Sequence, residues 1–162
     1  MKLAIHSALA ALALASCAEM PASMSSAPAP AAKETKMAFD ITNGNPQVVV
    51  LTLKTIELTR KQLADAGLAP RIVVTFRGEA SYFTQDSLAV VKETDRAEAL
   101  QVKAMIRDMK KAETVQSFEQ CNVPLASRKL KGTDLMTEVK LVPNGWIALA
   151  NYQQQGYAYI VP

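Results

Sequence analysis

Residues 72–76, Ile-Val-Val-Thr-Phe, constrain the fold more than any other stretch of this chain. All five are β-branched or aromatic, which favours an extended strand. The run lacks the strict alternation of polar and apolar residues that marks a strand with one face in water. It is typical of a strand at the centre of a parallel sheet, where helices cover both faces.

Other strands are predicted on both sides of this run, and predicted helices separate them. The strands fall at residues 38–41, 114–121, 139–142 and 157–161. Strands that alternate with helices form βαβ units with right-handed crossovers, which leaves only a few arrangements. We therefore expect an α/β protein: a flavodoxin-like three-layer sandwich with a mostly parallel sheet of about five strands.

Capping residues predict where the helices begin and end. Asn45 is a good N-cap and Pro46 suits the first helical position, so a helix is predicted from there to about residue 66, before Gly67. A second helix follows a capping box at 95–98, and a third spans 145–155. A loop with a short helix is expected over 81–91, and a turn over 122–124.

The N-terminal residues predict export. Lys2 precedes an apolar stretch, residues 3–14, which has the length of a signal peptide and is too short to span a bilayer. Leu-Ala-Ser-Cys at 14–17 resembles a bacterial lipobox, in which Cys17 is acylated and becomes the new N-terminus. An ordinary secretory signal cleaved near Ser16 or Ala18 is the alternative. The predicted division is a signal peptide at 1–16, a tether at 17–36 and a domain at 37–162.

A lipid on Cys17 would anchor the protein to a membrane without spanning it. By resemblance to lipoproteins of diderm bacteria, Ala18 after the cysteine goes with sorting to the outer membrane. We therefore expect a lipid-anchored protein that faces the periplasm. The following residues, up to about 36, are rich in Pro, Ala and Ser and predict a flexible spacer.

Charge and histidine content exclude several classes of function. Lys2 is the only charged residue before Cys17, and without it the chain has 17 basic and 15 acidic residues, too balanced for a nucleic-acid partner. The single histidine, His6, lies in the predicted signal peptide. The mature chain then has no Ser-His-Asp triad, Cys-His dyad or histidine-ligated zinc site. Without a dinucleotide or Walker motif, no cofactor and no metal are expected.

Cys121 is the main candidate for chemistry, and two interpretations of it remain open. It ends a predicted strand, and reactive sites in doubly wound sheets lie beyond the carboxyl ends of strands. Thiols near a helix N-terminus or beside Lys and Arg ionise more readily, and Arg77, Arg128, Lys129 and Lys131 are candidates for such neighbours. Alternatively, Cys121 is a small buried hydrophobe and the basic run is a solvated loop.

Three further groups of residues have two interpretations each. Asp40 and Glu79 could form a carboxylate pair at strand ends or act as turn and capping residues. The apolar run 48–51 could bind a partner or pack normally. The third group consists of aromatic residues that could line a pocket but are better explained as core or interface: Trp146, Tyr152, Tyr157 and Tyr159.

The order of several motifs resembles the DsrE/DsrF-like family over residues 37–162. These motifs are Cys121-Asn122 at a strand end, Lys-Leu-Lys-Gly at 129–132, Val-Pro-Asn-Gly at 142–145, and the closing Gln-Gln-Gly-Tyr-Ala-Tyr-Ile-Val-Pro at 154–162. The resemblance implies a flavodoxin-like fold that assembles into dimers, trimers or larger rings. It also implies that the strand-end cysteine, Cys121 by position, carries sulfur as a persulfide between donor and acceptor proteins.

The resemblance thus points to a sulfur carrier rather than a turnover enzyme. The residues expected to assist Cys121 are Arg77, Asn122, Arg128 and Lys129. Two features depart from the sulfur-relay relatives. Those relatives are cytoplasmic, and several have histidine before glycine where this chain has Arg77-Gly78. A non-catalytic oligomeric binding or scaffolding module with a structural cysteine is the alternative.

Overall fold

Five parallel strands form the sheet in a computed structural model that describes residues 32–162. They are β1 (Glu34–Ile41), β2 (Ala69–Phe76), β3 (Ser117–Cys121), β4 (Val139–Val142) and β5 (Ala158–Ile160), in the order β4-β3-β2-β1-β5. The predicted signal peptide, Cys17 and most of the predicted tether lie outside the described residues.

Four α-helices connect the strands: α1 (Pro46–Asp65), α2 (Arg96–Lys111), α3 (Val123–Ser127) and α4 (Gly145–Gln154). Short 3₁₀ segments occur at Gly78–Thr84, Glu93–Asp95 and Gly132–Asp134. The Asn45 side chain accepts a hydrogen bond from the Gln47 N–H at 2.9 Å, which confirms the predicted cap of α1. None of the helices within 32–162 has the length and apolar character that a membrane crossing requires.

The strand order determines the layers. From β1 to β4 the chain steps one strand at a time in the same direction, so right-handed crossovers put α1 and α2 on one face. The last crossover returns past β1 to β5 and puts α4 on the opposite face. The packing agrees, because α1 contacts α2 while α4 contacts β1, β2, β3 and β5. The predicted three-layer, flavodoxin-like α/β sandwich is confirmed.

The larger core lies between the sheet and the layer of α1 and α2. Alternate residues of the strands point into it, and helix positions at helical spacing meet them. Phe76 and Phe118 stack there with ring centroids 6.2 Å apart, and both are fully buried. The smaller core under α4 contains Ala38, Val73, Leu149 and Tyr157. The two faces of the sheet are therefore covered unequally.

Several local predictions differ from the structure. The capping box predicted at 95–98 is not formed, because the Asp95 side chain makes no capping hydrogen bond to α2. The strand β1 begins at Glu34, three residues before the predicted domain start at 37, and its first residues pair in register with 69–71 of β2. The paired segment Glu-Thr-Lys is polar, with Glu34 exposed and Thr35 and Lys36 half-buried, so no hydrophobic pattern marks it. The predicted turn at 122–124 is instead the start of α3, where Pro124 occupies the first helical turn.

Phe118→Ala tests the larger core. The substitution removes a fully buried ring and leaves a cavity, so the free energy of unfolding should fall by about 3–5 kcal/mol. Chemical denaturation of the full-length chain would measure this change. Leu100→Ala on α2, where the leucine is 54% exposed, is the control and should change it by less than about 0.5 kcal/mol. Equal effects would contradict this account of the core.

Tyr152, which packs against the smaller core, makes a partly buried hydrogen bond. The Tyr152 hydroxyl donates to Glu119 Oε1 at 2.7 Å. Burial, followed by this hydrogen bond, raises the pKa of Tyr152 well above the usual value. Since its pKa in the folded state exceeds that in the unfolded state, Tyr152 contributes stability below pH about 10 that is lost as the pH rises further.

Tyr152→Phe tests this linkage. The free energy of unfolding should decrease by about 1–2 kcal/mol at neutral pH, because Glu119 loses a donor. Above pH about 10 the further loss of stability should be shallower in the variant than in the unmodified chain. Denaturation series across pH would measure both slopes. Tyr82→Phe, which removes a phenol hydroxyl elsewhere, is the control; an unchanged slope in Tyr152→Phe would refute the assignment.

Candidate functional site

A cleft of about 260 Å³ lies at the carboxyl ends of β2 and β3, beside the first turns of α3 and α4. Ligand sites in parallel sheets are found at this edge. The residues that line the cleft are Arg77, Gly78, Cys121, Val123, Pro124, Ser127, Arg128, Asn144 and Trp146. The tertiary structure thus brings Cys121 and two of its four predicted assisting residues together.

Cys121 lies in the wall of this cleft and is 3% exposed. Its Sγ accepts a hydrogen bond from the Gly145 N–H at 3.0 Å, at the first residue of α4. The first N–H groups of a helix have no partner within the helix, and the helix dipole favours negative charge there. The sulfur therefore has a fixed backbone donor suited to a negatively charged atom.

Gly145 is required by the close approach of two side chains. A Cβ at this position would lie 2.5 Å from Arg77 Cδ and 3.0 Å from Cys121 Cβ. Any larger residue would push these side chains apart or displace the start of α4. In the sequence this glycine indicated only a turn and a helix start, since the approach involves residues far away along the chain.

Arg77 is held by a buried carboxylate. Its Nε donates to Asp40 Oδ1 at 2.8 Å and its Nη2 donates to Oδ2, while the Tyr159 hydroxyl donates to the same Oδ2 at 2.7 Å. Asp40 is 1% exposed. The hydrogen bond to Asp40 raises the pKa of Arg77 and, likewise, that of Tyr159. Asp40 therefore already compensates the charge of Arg77. The Arg77 side chain then positions neighbouring groups.

The carboxylate pair considered for Asp40 and Glu79 is not formed. Asp40 pairs with Arg77, whereas Glu79 is exposed and its side chain lies against Gly44. Turn or capping roles do not describe Asp40 either, because it lies inside β1. In the sequence, the polar Asp40 at the end of an otherwise apolar strand was the feature that could have indicated a buried ion pair.

Trp146 forms the outer part of the cleft. Its indole is 68% exposed, and the Arg77 guanidinium carbon lies 5.2 Å from the ring centroid, a cation–π contact. Trp146 therefore does not belong to the core, and that part of its interpretation is wrong; an interface role for Trp146 stays a prediction. Tyr157, in contrast, belongs to the smaller core. The neighbouring Ile147 is also exposed, at 61%.

The basic residues after β3 divide into two groups. Arg128 lines the cleft and donates from Nη1 to Ser127 Oγ at 3.3 Å, and it makes no ion pair with any residue of 32–162. Asn122 and Lys129 are exposed and do not line it. Lys129 has a φ of +56° just after α3, so its position serves the turn.

A buried polar network behind Cys121 was not predicted. Gln120 Nε2 donates to the Cys121 carbonyl at 2.7 Å and to Ser81 Oγ at 2.8 Å, and the Thr84 hydroxyl donates to Gln120 Oε1 at 2.8 Å. These hydrogen bonds fix the end of β3 against the 3₁₀ segment Gly78–Thr84. No group of three or more His, Cys, Asp or Glu side chains able to hold a metal exists within the described range, 32–162.

Asp40→Asn tests the buried pair. The substitution leaves the Arg77 charge uncompensated, so the free energy of unfolding should fall by about 2–3 kcal/mol, less than for a fully buried pair because Arg77 is 17% exposed. Glu93→Gln breaks the ion pair with Arg96, in which the glutamate is 82% exposed, and should cost less than about 0.5 kcal/mol. Chemical denaturation of both variants would measure the two losses of unfolding free energy. Similarly small losses in the two variants would refute the structural role of Asp40.

Comparison with known proteins supports the fold and establishes the family. The protein of unknown function MTH1491 from Methanobacterium thermoautotrophicum has a similar fold, with a TM-score of 0.55 and 22% identity, covering 80% of this chain and 99% of that one. An uncharacterised Aquifex aeolicus protein is 26% identical over 125 residues, 77% of this chain. The match covers 55% of that relative, so the chain spans about half its length. Since the model of the DsrE/DsrF-like family matches residues 28–162, the chain belongs to this family.

Proposed function

We propose that this protein carries sulfur as a persulfide on Cys121, acting as a carrier rather than a turnover enzyme. Membership of the DsrE/DsrF-like family, which is associated with sulfur relay, supports the class of function. The observation that carries the proposal is the hydrogen bond from the Gly145 N–H to Cys121 Sγ at 3.0 Å, in the wall of a cleft. This donor would stabilise either a thiolate or the inner sulfur of a persulfide.

Loading requires one exchange reaction. The Cys121 thiolate attacks the outer sulfur of a donor persulfide, the sulfur–sulfur bond of the donor breaks, and the donor thiolate leaves. The acceptor then attacks the outer sulfur on Cys121 in the same way, and Cys121 leaves as the thiolate. One bond forms and one breaks in each step, so no external oxidant or reductant is needed.

The charges around the cleft support an anionic sulfur group. Arg77 is compensated by Asp40, which leaves Arg128 as the cation at the cleft with no ion-pair partner in residues 32–162. Since Arg128 makes only weak contacts with Ser127 and Pro124, its remaining N–H groups can meet a persulfide anion. Trp146 covers the outer side of the cleft.

We further propose export with a lipid on Cys17, at the outer membrane and facing the periplasm, and assembly into a homodimer or homotrimer. Donor and acceptor proteins would then meet Cys121 in that compartment. The assembly is supported by a stripe of exposed apolar residues on α1, Val48, Leu51 and Leu58, which are 38%, 65% and 55% exposed. Their spacing of three and seven residues puts them on one side of the helix.

A non-catalytic oligomeric module with a structural cysteine is the second candidate. The 3% exposure of Cys121 favours it, because buried cysteines pack as small hydrophobes and react slowly. The apolar stripe on α1 would then be the functional surface. The two candidates differ in whether Cys121 reacts in the folded protein.

Sulfur loading separates them. Full-length chain with Cys17→Ser, which retains Cys121 as its single thiol, would be incubated with inorganic polysulfide under native conditions and its intact mass measured. The carrier proposal predicts a gain of sulfur that dithiothreitol reverses. The same chain with Cys121→Ser as well should gain none. Arg128→Met should slow loading about tenfold or more, since it removes the charge and keeps most of the apolar stem.

A thiol titration shows how an absence of sulfur loading is to be interpreted. Ellman's reagent would be applied to the folded and the denatured chain. A thiol that stays unmodified by polysulfide and titrates only after unfolding would overturn the carrier proposal and support the structural cysteine. Sulfur gained equally by the Cys121→Ser chain would also overturn it.

A further inference from the structure

Three large apolar side chains at or beside the Cys121 cleft are exposed, and we call them the apolar rim: Val123, Trp146 and Ile147. Val123, at the first residue of α3, is 63% exposed. Trp146 and Ile147 lie in the first turn of α4. Single exposed apolar residues are normal on a protein surface, whereas several grouped at one cleft are typical of an interaction site.

The apolar rim extends beyond the Cys121 cleft. Ile147 lines a second cleft, of about 470 Å³, between α4 and the strands β3 and β4, and Glu119 lies in the wall of this second cleft. Asn144 borders both clefts. Because the exposed apolar surface continues past the Cys121 cleft, we expect an occupant larger than a small molecule.

The charges beside the apolar rim have one sign. The chain from 121 to 132 has no acidic residue and three basic ones: Arg128, Lys129 and Lys131. None of these three forms an ion pair with a described residue, and α4 carries no charged residue. The acidic Glu79 lines a different cavity and does not line this cleft. Electrostatic complementarity therefore requires an acidic partner surface.

A protein suits this surface better than a membrane does. Basic residues beside exposed tryptophan also occur where proteins bind anionic lipids. Cys121, however, is 3% exposed in the wall of a cleft, which a protein segment can enter and the surface of a bilayer cannot. An apolar centre that includes tryptophan, with arginine and a polar margin, is also the usual composition of protein interfaces.

We propose that the apolar rim and the three basic residues beside it form the docking surface for a protein that exchanges sulfur with Cys121. The partner presents apolar side chains to Val123 and Trp146 and acidic side chains to the basic residues. This inference rests on the proposed function, because sulfur exchange is what brings a partner to Cys121. It adds the chemistry by which the partner is recognised: an acidic segment with apolar residues at its centre.

Two synthetic peptides test this docking surface without sulfur chemistry. Both have Leu-Ser-Leu at the centre, flanked by Glu residues in one peptide and by Lys residues in the other. Trp146 is the single tryptophan of the chain, so its fluorescence reports binding at the rim in the full-length chain with Cys17→Ser. The Glu peptide should bind saturably, and the Lys peptide should bind about tenfold more weakly or less. A saturating amount of the Glu peptide should also slow the loading of Cys121 by polysulfide severalfold.

Charge reversal provides matched variants. Lys129→Glu together with Lys131→Glu should reverse the preference, so that the Lys peptide binds more tightly than the Glu peptide. Lys54→Glu together with Lys111→Glu, on α1 and α2, changes the net charge equally at two other exposed lysines and should leave the preference unchanged. Val123→Ser should weaken binding of the Glu peptide severalfold, because it removes apolar contact area.

Equal binding of the two peptides would overturn the docking surface. So would a blue shift of Trp146 fluorescence on phosphatidylglycerol vesicles that the Lys129→Glu and Lys131→Glu pair abolishes, if the Glu peptide does not bind; the rim would then be a membrane surface. The proposed function fails separately. If the chain binds the Glu peptide and Cys121 does not load sulfur, the docking surface remains and the carrier role is refuted. If Cys121 loads sulfur and the peptides bind equally, only the docking surface is refuted.

Discussion

The buried Asp40 carboxylate organises the carboxyl edge of the sheet. It lies in β1, receives two hydrogen bonds from Arg77 at the end of β2, and receives a third from Tyr159 in β5. A carboxylate that is 1% exposed is stable only with such partners. Because three strands contribute to one charge cluster, their ends are held in a fixed relation.

The same cluster positions the site. Arg77 packs its stem against Gly145 and its guanidinium against Trp146, so the start of α4 is set by the cluster. Gly145 in turn donates to Cys121 Sγ at 3.0 Å. Behind the sulfur, the Gln120 side chain holds the Cys121 carbonyl. The thiol therefore lies between the start of α4 and the end of its own strand, β3, and hydrogen bonds hold both.

The two faces of the sheet are covered unequally, which leaves room for clefts beside α4. Two long helices cover the first face with a large apolar core, whereas α4 is the one helix on the second face in residues 32–162. Acidic and hydroxyl side chains such as Glu119 and Thr75 lie in the strands on that face. The cleft with Cys121 and the cleft with Glu119 both border Asn144, the N-cap of α4.

Much of the fold was accessible from the sequence, because strand and helix formation depends on neighbouring residues. The apolar run 72–76, the Asn45 cap and the strand–helix alternation predicted the parallel three-layer sandwich, and they did so correctly. Cys121 at a strand end was also predicted, and the motifs resembled the family to which the chain belongs. The polar start of β1 at Glu34 had no hydrophobic pattern and was missed.

The composition of the site was decided only by the tertiary structure. Asp40 compensates the charge of Arg77 and is itself held by Tyr159, and the bonded pairs Arg77–Asp40 and Tyr159–Asp40 are 37 and 119 positions apart. The separation of Arg128, which lines the cleft, from Asn122 and Lys129, which do not, depends on how α3 turns after β3. Local sequence determines which segments are strands and helices, whereas burial and pairing of charges depend on distant residues that meet only after folding.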